Sequence, residues 1–332
     1  MNFAFLIHTR DWPDVQQKFR MARYIPRKWV RLWCLHWPPV VFSQITGLKS
    51  KKTGKEIKGW LIGVPMTAKQ LLERREVAQK RIIQAIKKAE KLGAKIVGLG
   101  ALTSPVTNGG LDIIDKINIK VTTGNALTVG ISFKHIQQII EKNNYIQKIA
   151  IIGATGSIGQ ALSKLIVKNY PEKELLLFAR TKGNLDNLEE DLLQISSQAK
   201  IHKALTHFNE LTEVDLIIMA TSAPDALIEF AYLKQGSIIY DITQPKNISM
   251  NQIESRPDVK FYDGGLVIIP ELKGRLPLDL PQNAAFACLG ETILLALEDD
   301  EVHISLGKVQ TQAAMEMLRL SEKYNFMPIS LH

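Results

Sequence analysis

The sequence predicts an α/β protein: an N-terminal α/β domain over 1–125, a Rossmann-like, doubly wound parallel sheet over 126–282, and C-terminal helices over 283–332. Three observations predict it. A length of 332 residues suits about two domains. From Lys148 on, apolar β-rich runs alternate with helical segments. A glycine-rich turn, Gly153-Ala154-Thr155-Gly156-Ser157-Ile158-Gly159, lies between the first of those strands and the next helix.

Taken in order, LIGVPM (61–66) predicts a short strand. Thr67 to Leu92 predicts one long helix, with Thr67 as N-cap and Gly93 as its stop. AKIVGLGALTS (94–104) is a buried strand ending in a loop, and IKVTT (119–123) is a short strand. Gly124-Asn125 opens a helix to about Asn143. In the second domain the strands are KIAIIGA (148–154), ELLLFAR (174–180), DLIIMATSA (215–223), GSIIYDIT (236–243) and KFYDGGLVII (260–269). Helices are expected over 157–170 and, as a crossover, over 224–235. From Asn283 the chain should be helical, with a break near Gly307.

Composition excludes several classes. Hydrophobic residues make up 45% and charged residues 23%, which argues against disorder and collagen-like repeats. Two cysteines, Cys34 and Cys288, cannot form a disulfide framework and suggest a reducing compartment. The net charge of +9 resides in residues 1–60, which carry 12 basic and three acidic groups; the remainder carries 30 of each sign. All five tryptophans fall in that segment. Pro26–Trp37 predicts a helix with Trp29, Trp33 and Trp37 on one side and Arg27, Lys28 and Arg31 on the other. That pattern suits a membrane surface or an acidic protein partner. The alternative is a Trp face packed on the protein's own core. No run is long and apolar enough to span a membrane and MNFAFLIHTR lacks a basic leader region, so the expected location is cytoplasmic, with peripheral membrane contact open.

The glycine-rich turn has the context of a dinucleotide site. Gly153 permits the tight turn, Gly156 admits a pyrophosphate, and Gly159 lets the helix pack on the strand. Thr155, Ser157 and Ile158 complete the loop, and the helix N-terminus offers free N–H groups to the phosphates. A βα turn that uses glycine only to turn is the alternative. The second strand ends Arg180-Thr181-Lys182, where an NAD site would carry a carboxylate. Arg180 can pair with a 2′-phosphate, so NADPH is the expected cofactor. Two solvated cations are the bland reading. Thr221 and Ser222, before Ala223-Pro224, put small residues on the same crevice, and also suit a helix N-cap.

Cys288 lies in NAAFACLGETILLALE. By itself it reads as a small core residue, although a helix start lowers a thiol pKa. Leu99-Gly100, Thr103-Ser104, Thr122-Thr123-Gly124-Asn125, the turn 153–159, Phe178-Ala179-Arg180, Pro245-Lys246-Asn247, Gly264-Gly265 and Phe286-Ala287-Cys288 recur in this order in a known family. The chain resembles, over nearly its whole length, the cyanobacterial long-chain acyl-(acyl carrier protein) reductases, which form fatty aldehydes. The resemblance implies that Cys288 is the nucleophile that carries the acyl group. It also implies an acidic acyl carrier protein or acyl-coenzyme A as donor, and an aldehyde-consuming enzyme as a further partner. An acyl slot in the first domain would be lined by residues such as Val97, Leu99 and Leu102.

A thioester carbonyl is electrophilic enough for one hydride, and a cysteine keeps the acyl group activated while the carrier leaves. The oxyanion needs donors, for which Thr122, Thr123 and Asn125 are candidates; the alternative is that they cap the following helix. Glu291 shares the helix face of Cys288 and either tunes the thiol or is solvated. Neither metal nor nucleic acid is expected. Two other readings stay open: a shikimate-type or amino-acid NADP dehydrogenase without a covalent step, and a non-catalytic NADPH-binding, membrane-associated protein. An aminoacyl-tRNA reductase would fit the basic segment, but no tRNA-reading domain is visible.

Overall fold

The computed structural model describes residues 1–9, 24, 37–205, 208–221, 228–244, 246, 248–274, 280–299 and 305–329. The chain divides into two compact units. The first comprises Met1–Gly124, Val267–Gly307 and Arg319–Met327; the second comprises Asn125–Leu266, Lys308–Leu318 and Pro328–His332. The C-terminal stretch, expected as a separate run of helices, is therefore shared between the units. The predicted amphipathic helix lies, up to His36, outside the described residues, as does Cys34.

The first unit opens with a five-stranded sheet. Its strands are β1 (Phe3–Thr9), β2 (Val40–Lys49), β3 (Glu56–Thr67), β4 (Ile96–Leu99) and β5 (Lys120–Thr122), in the order β2-β3-β1-β4-β5. All neighbours are parallel except β2, which pairs antiparallel at the edge. Central β1 is buried on both faces. Ala4 and Leu6, with Val97 and Leu99, belong to a core that includes Ala78, Ile82, Ala85 and Ile86. The Phe5 ring points the other way, toward Gly98.

The predicted helix from Thr67 is two helices, α1 (Ala68–Glu73) and α2 (Arg75–Lys91), broken where Arg74 leaves helical dihedrals (φ −126°, ψ 56°). Thr67 is the N-cap as expected, in a reciprocal capping box with Gln70. Gly93 follows the stop at φ +90°.

The second unit begins with α3 (Asn125–Lys142). Then come β6 (Lys148–Ile152), α4 (Ser157–Asn169), β7 (Glu174–Phe178), α5 (Lys182–Ile195), β8 (Lys200–Ala204), β9 (Leu216–Met219), β10 (Ile238–Asp241), the short α6 (Met250–Glu254) and β11 (Lys260–Asp263). All pairings are parallel, in the order β11-β10-β9-β6-β7-β8. Numbered within this sheet, that is 3-2-1-4-5-6 read from β8, the dinucleotide-binding order that reverses between β6 and β9. The fold class is thus as the sequence predicts. Two expectations need correction. The described part of the crossover over 224–235 holds one 3₁₀ turn, Phe230–Tyr232, and residues 222–227 lie outside the described set. The run KFYDGGLVII is two strands, because Gly265 turns at φ +69°.

After that turn, β12 (Leu266–Ile268) and β13 (Ala284–Phe286) form, with a strand near the C-terminus, a third sheet. Then α7 (Ala287–Glu298) packs on β4 and β1 of the first unit. A Cβ on Gly98 would lie 2.1 Å from Thr292 Oγ1 and 2.5 Å from the Phe5 ring, so β4 and α7 approach closely only because residue 98 is glycine. Helix α8 (Thr311–Lys323) and β14 (Met327–Pro328) complete the chain's described elements.

Buried Asp215 gathers the amino ends of the second sheet. Its carboxylate accepts from the Gln147 N–H (2.8 Å), the Lys148 N–H (3.0 Å) and Lys234 Nζ (2.5 Å). Burial pushes this carboxyl up; Lys234 and the two N–H groups outweigh that and hold it below its ordinary range. Asp215→Asn should therefore cost about 1.5–3 kcal/mol at neutral pH in denaturant unfolding. A depressed carboxyl contributes stability above its unfolded pKa, about 3.9, and loses it as the pH falls through the folded value. The gap between wild type and variant should accordingly shrink below about pH 4.

Candidate active site

The second unit places its site at the carboxyl ends of β6, β7 and β9. Gly153 turns at φ +84°, and a Cβ there would lie 2.8 Å from Ala220 O and 2.9 Å from Thr221 Cα. The turn is thus pressed against the end of β9, with Thr221 at the contact. A Cβ on Gly159 would lie 2.3 Å from Gly153 O, so α4 also closes on the turn through a glycine. Gly156 is the exposed N-cap of α4, and Thr155 and Ile158 are half-buried. The first-turn N–H groups of α4 have no acceptor within their own helix and suit an anion. The Ser157 hydroxyl accepts from the Val309 N–H at 3.1 Å and so holds the returning chain. Ser222 lies outside the described residues.

Arg180 is exposed just after β7 and, among the described residues, makes no ion pair. Thr181 is the exposed N-cap of α5. The nearest downstream carboxylate, Asp186, is taken by Lys182 (3.2 Å) and Lys203 (2.6 Å), which together hold it below the ordinary range, Lys203 most strongly. The end of β7 therefore offers a ribose a guanidinium, with its nearest downstream carboxylate already paired.

The first unit holds the cysteine. Cys288 is the second residue of α7 and is half-buried. Gly124, at φ +71°, meets it backbone to backbone: a Cβ there would lie 2.4 Å from Cys288 Cα. Beneath this contact is a buried polar cluster. Glu291 Oε1 accepts from the Thr122 hydroxyl and from the Ser305 hydroxyl, each at 2.6 Å. The Thr123 and Ser305 hydroxyls are 3.1 Å apart, and the Thr123 N–H donates to Ser305 O at 2.9 Å. Thr123 thus serves in fixing the loop, and Asn125 opens α3 in the other unit. Val97, Leu99 and Leu102 are core beside α2, the bland reading of the three residues expected to line an acyl slot.

A helix start by itself lowers a thiol pKa. Here desolvation dominates instead and pushes Cys288 up to about 12. The N–H groups of Leu289 and Cys288 favour the thiolate, and the Glu291 charge opposes it. Sequence reasoning missed Ser305, which lies 14 residues from Glu291 with only long-range packing to reveal it. Glu291 is visible from its helical spacing, but its burial is not.

The 3-2-1-4-5-6 sheet and the glycine turn that leads into α4 define an NAD(P)-binding domain of the dehydrogenase type. Residues 134–263 match the family model described as Shikimate / quinate 5-dehydrogenase. The chain is 28% identical over 314 residues to the long-chain acyl-[acyl-carrier-protein] reductase of Synechococcus elongatus, covering 89% of each. It is 30% identical over 300 residues to aminotransferase PigE of a Serratia species, covering 87% of this chain but only about a third (34%) of that protein. A glutamyl-tRNA reductase of Flavobacterium psychrophilum is 29% identical over 146 residues, which is 42% of this chain and 33% of the relative. Fold and relatives together support an NAD(P)-dependent oxidoreductase.

Proposed function

We propose that the protein reduces a long-chain acyl thioester, carried by acyl carrier protein or coenzyme A, to a fatty aldehyde, with NADPH as reductant and Cys288 as nucleophile. The observation that carries this reading is the likeness to the Synechococcus reductase across 89% of both chains, with Cys288 at the head of a helix beside a buried carboxylate. Two of the relatives are named as reductases of a carrier-linked acyl group, one on acyl carrier protein and one on tRNA.

The cofactor fits the residues of the second unit. Gly153 and Gly156 leave backbone space for a pyrophosphate, and exposed Arg180 suits a 2′-phosphate. When bound, NADPH supplies the hydride. Cys288 takes the acyl group: its Sγ–C bond forms as the carrier's S–C bond breaks, and the carrier leaves as a thiol. The first-turn N–H groups of α7 face the sulfur and favour negative charge there. The acidic carrier suits the basic N-terminal residues by charge, and a membrane surface is the other partner they would take. The match of 134–263 to shikimate / quinate dehydrogenases favours a second reading, NADP-dependent alcohol oxidation without a covalent step.

Site-resolved mass spectrometry decides between the two. With acyl thioester and no NADPH, the first reading predicts an acyl adduct on Cys288, and loss of aldehyde formation in Cys288→Ala. Full activity in that variant would favour the second. The cofactor assignment has its own test. Arg180→Ala should raise the KM for NADPH about tenfold and leave that for NADH nearly unchanged, the loss of one charge-assisted contact. Equal weakening of both would make Arg180 a support of the fold.

A further inference from the structure

A carboxylate near the adenosine ribose bonds a free 2′-hydroxyl and repels a 2′-phosphate. Two acids, Asp186 and Glu189, stand in the N-terminal half of α5, just beyond the end of β7. Both are half-buried, and both are held by one lysine of the neighbouring strand. Lys203 Nζ lies 2.6 Å from Asp186 Oδ1 and 2.5 Å from Glu189 Oε2. The other oxygen of Asp186, Oδ2, faces Lys182 Nζ at 3.2 Å. Each oxygen of Asp186 thus already has an ammonium beside it.

The strand register ties this cluster to the ribose end of the site. Lys203 pairs with Leu177 across the parallel ladder, and the Ala179 N–H donates to Ala204 O at 3.3 Å. β8 therefore accompanies β7 to within one residue of Arg180. Asp186 follows Lys182 by four residues on α5, about 6 Å along the helix axis. That is inside the Debye length of about 8 Å at physiological salt, so an uncancelled charge on Asp186 would act on the end of β7. The two lysines differ in their freedom. The Lys203 side chain is 27% exposed and makes the shorter contacts; that of Lys182 is 78% exposed and makes the longer one. Lys182 can turn to a phosphate while Lys203 keeps Asp186 paired.

We propose that Lys203 is a specificity-determining residue for the cofactor: it neutralises Asp186 and Glu189 and leaves Arg180 and Lys182 to take a 2′-phosphate. This rests on the NADPH reading above. Lys203 acts through the two acids and needs no contact with the cofactor itself. With it, three cations stand against two carboxylates, and the end of β7 is positive. Without it the charges cancel, and a phosphate loses the field that favours it over a hydroxyl.

The test measures binding, not turnover. Isothermal titration of the full chain with NADPH and with NADH gives two Kd values for each variant. Lys203→Met keeps the apolar stem and removes the charge. It should raise the Kd for NADPH about fivefold and leave that for NADH within about twofold. The gap to wild type should close in about 1 M KCl, where the Debye length is about 3 Å. Lys203→Arg, which keeps the charge, should match wild type. Combining Lys203→Met with Asp186→Asn should restore most of the NADPH affinity, because one of the acids that Lys203 holds is gone. A lysine that only braces α5 on β8 would weaken both cofactors alike or neither, and the second substitution would not rescue it. A ratio of the two Kd values in Lys203→Met within about twofold of the wild-type ratio overturns the proposal. If that variant does not fold by circular dichroism, Asp186→Asn alone takes its place. It should tighten NADPH about threefold without tightening NADH, and unchanged NADPH binding overturns the proposal equally. Wild-type protein that binds NADPH no better than NADH would instead overturn the NADPH reading, and this proposal with it, which separates the two failures.

Discussion

One carboxylate oxygen, Glu291 Oε1, sets the register of the first unit's site. It must meet the Thr122 hydroxyl at the end of β5 and the Ser305 hydroxyl on the chain leaving α7, at 2.6 Å each. Residues 122, 291 and 305 belong to three segments, and none of them can slide without exposing a buried acid to an unsatisfied environment. Two glycines enforce the same closeness. Gly98 admits Thr292 of α7 against β4, and Gly124 admits the Cys288 backbone against the loop after β5. The cysteine is therefore delivered to a fixed place by a polar contact below it and glycine contacts beside it.

The second unit separates stability from chemistry along the length of its strands. At the amino ends, Asp215 satisfies two backbone N–H groups and a lysine, and closes the sheet. At the carboxyl ends the same strands lead to the N-terminus of α4 and to the exposed Arg180. Ligands bind outside the carboxyl ends of such a sheet, at the point where the strand order reverses. Gly153 and Gly159 allow the turn to sit there without a side chain in the way.

Much of this is legible in the sequence, for physical reasons that vary by element. The run from Lys148 to Phe178 announces itself because apolar strands flank a glycine turn, and Thr67 with Gln70 is a local capping signal. Strand β1 is not legible in the same way. A central parallel strand buried on both faces has no alternation to reveal it, and FAFLIHT near the N-terminus is as short and apolar as a fragment of a leader. The break at Arg74 carries no Gly or Pro signal. The separation of β11 from β12 depends on Gly265 turning in the left-handed region, which two adjacent glycines permit but do not dictate. Of the site, the glycine turn, Arg180 and Cys288 can be read directly, since each depends on residue type and local context. The protonation of Cys288 cannot, because the helix start argues for a low pKa and only tertiary burial reverses it. Ser305 is hidden for the same reason, as is the role of Thr123, whose partner is 182 residues away.

The central claim is that a thioester, and not an alcohol, is the substrate of this oxidoreductase. The most direct measurement is the stoichiometry of the purified full chain with NADPH and a long-chain acyl-(acyl carrier protein). Fatty aldehyde is quantified against NADPH consumed and carrier thiol released. The account predicts one aldehyde and one free carrier thiol for each NADPH oxidised. Absence of aldehyde with that donor and with acyl-coenzyme A, together with NADP-dependent oxidation of a hydroxy acid such as shikimate or quinate, would contradict it.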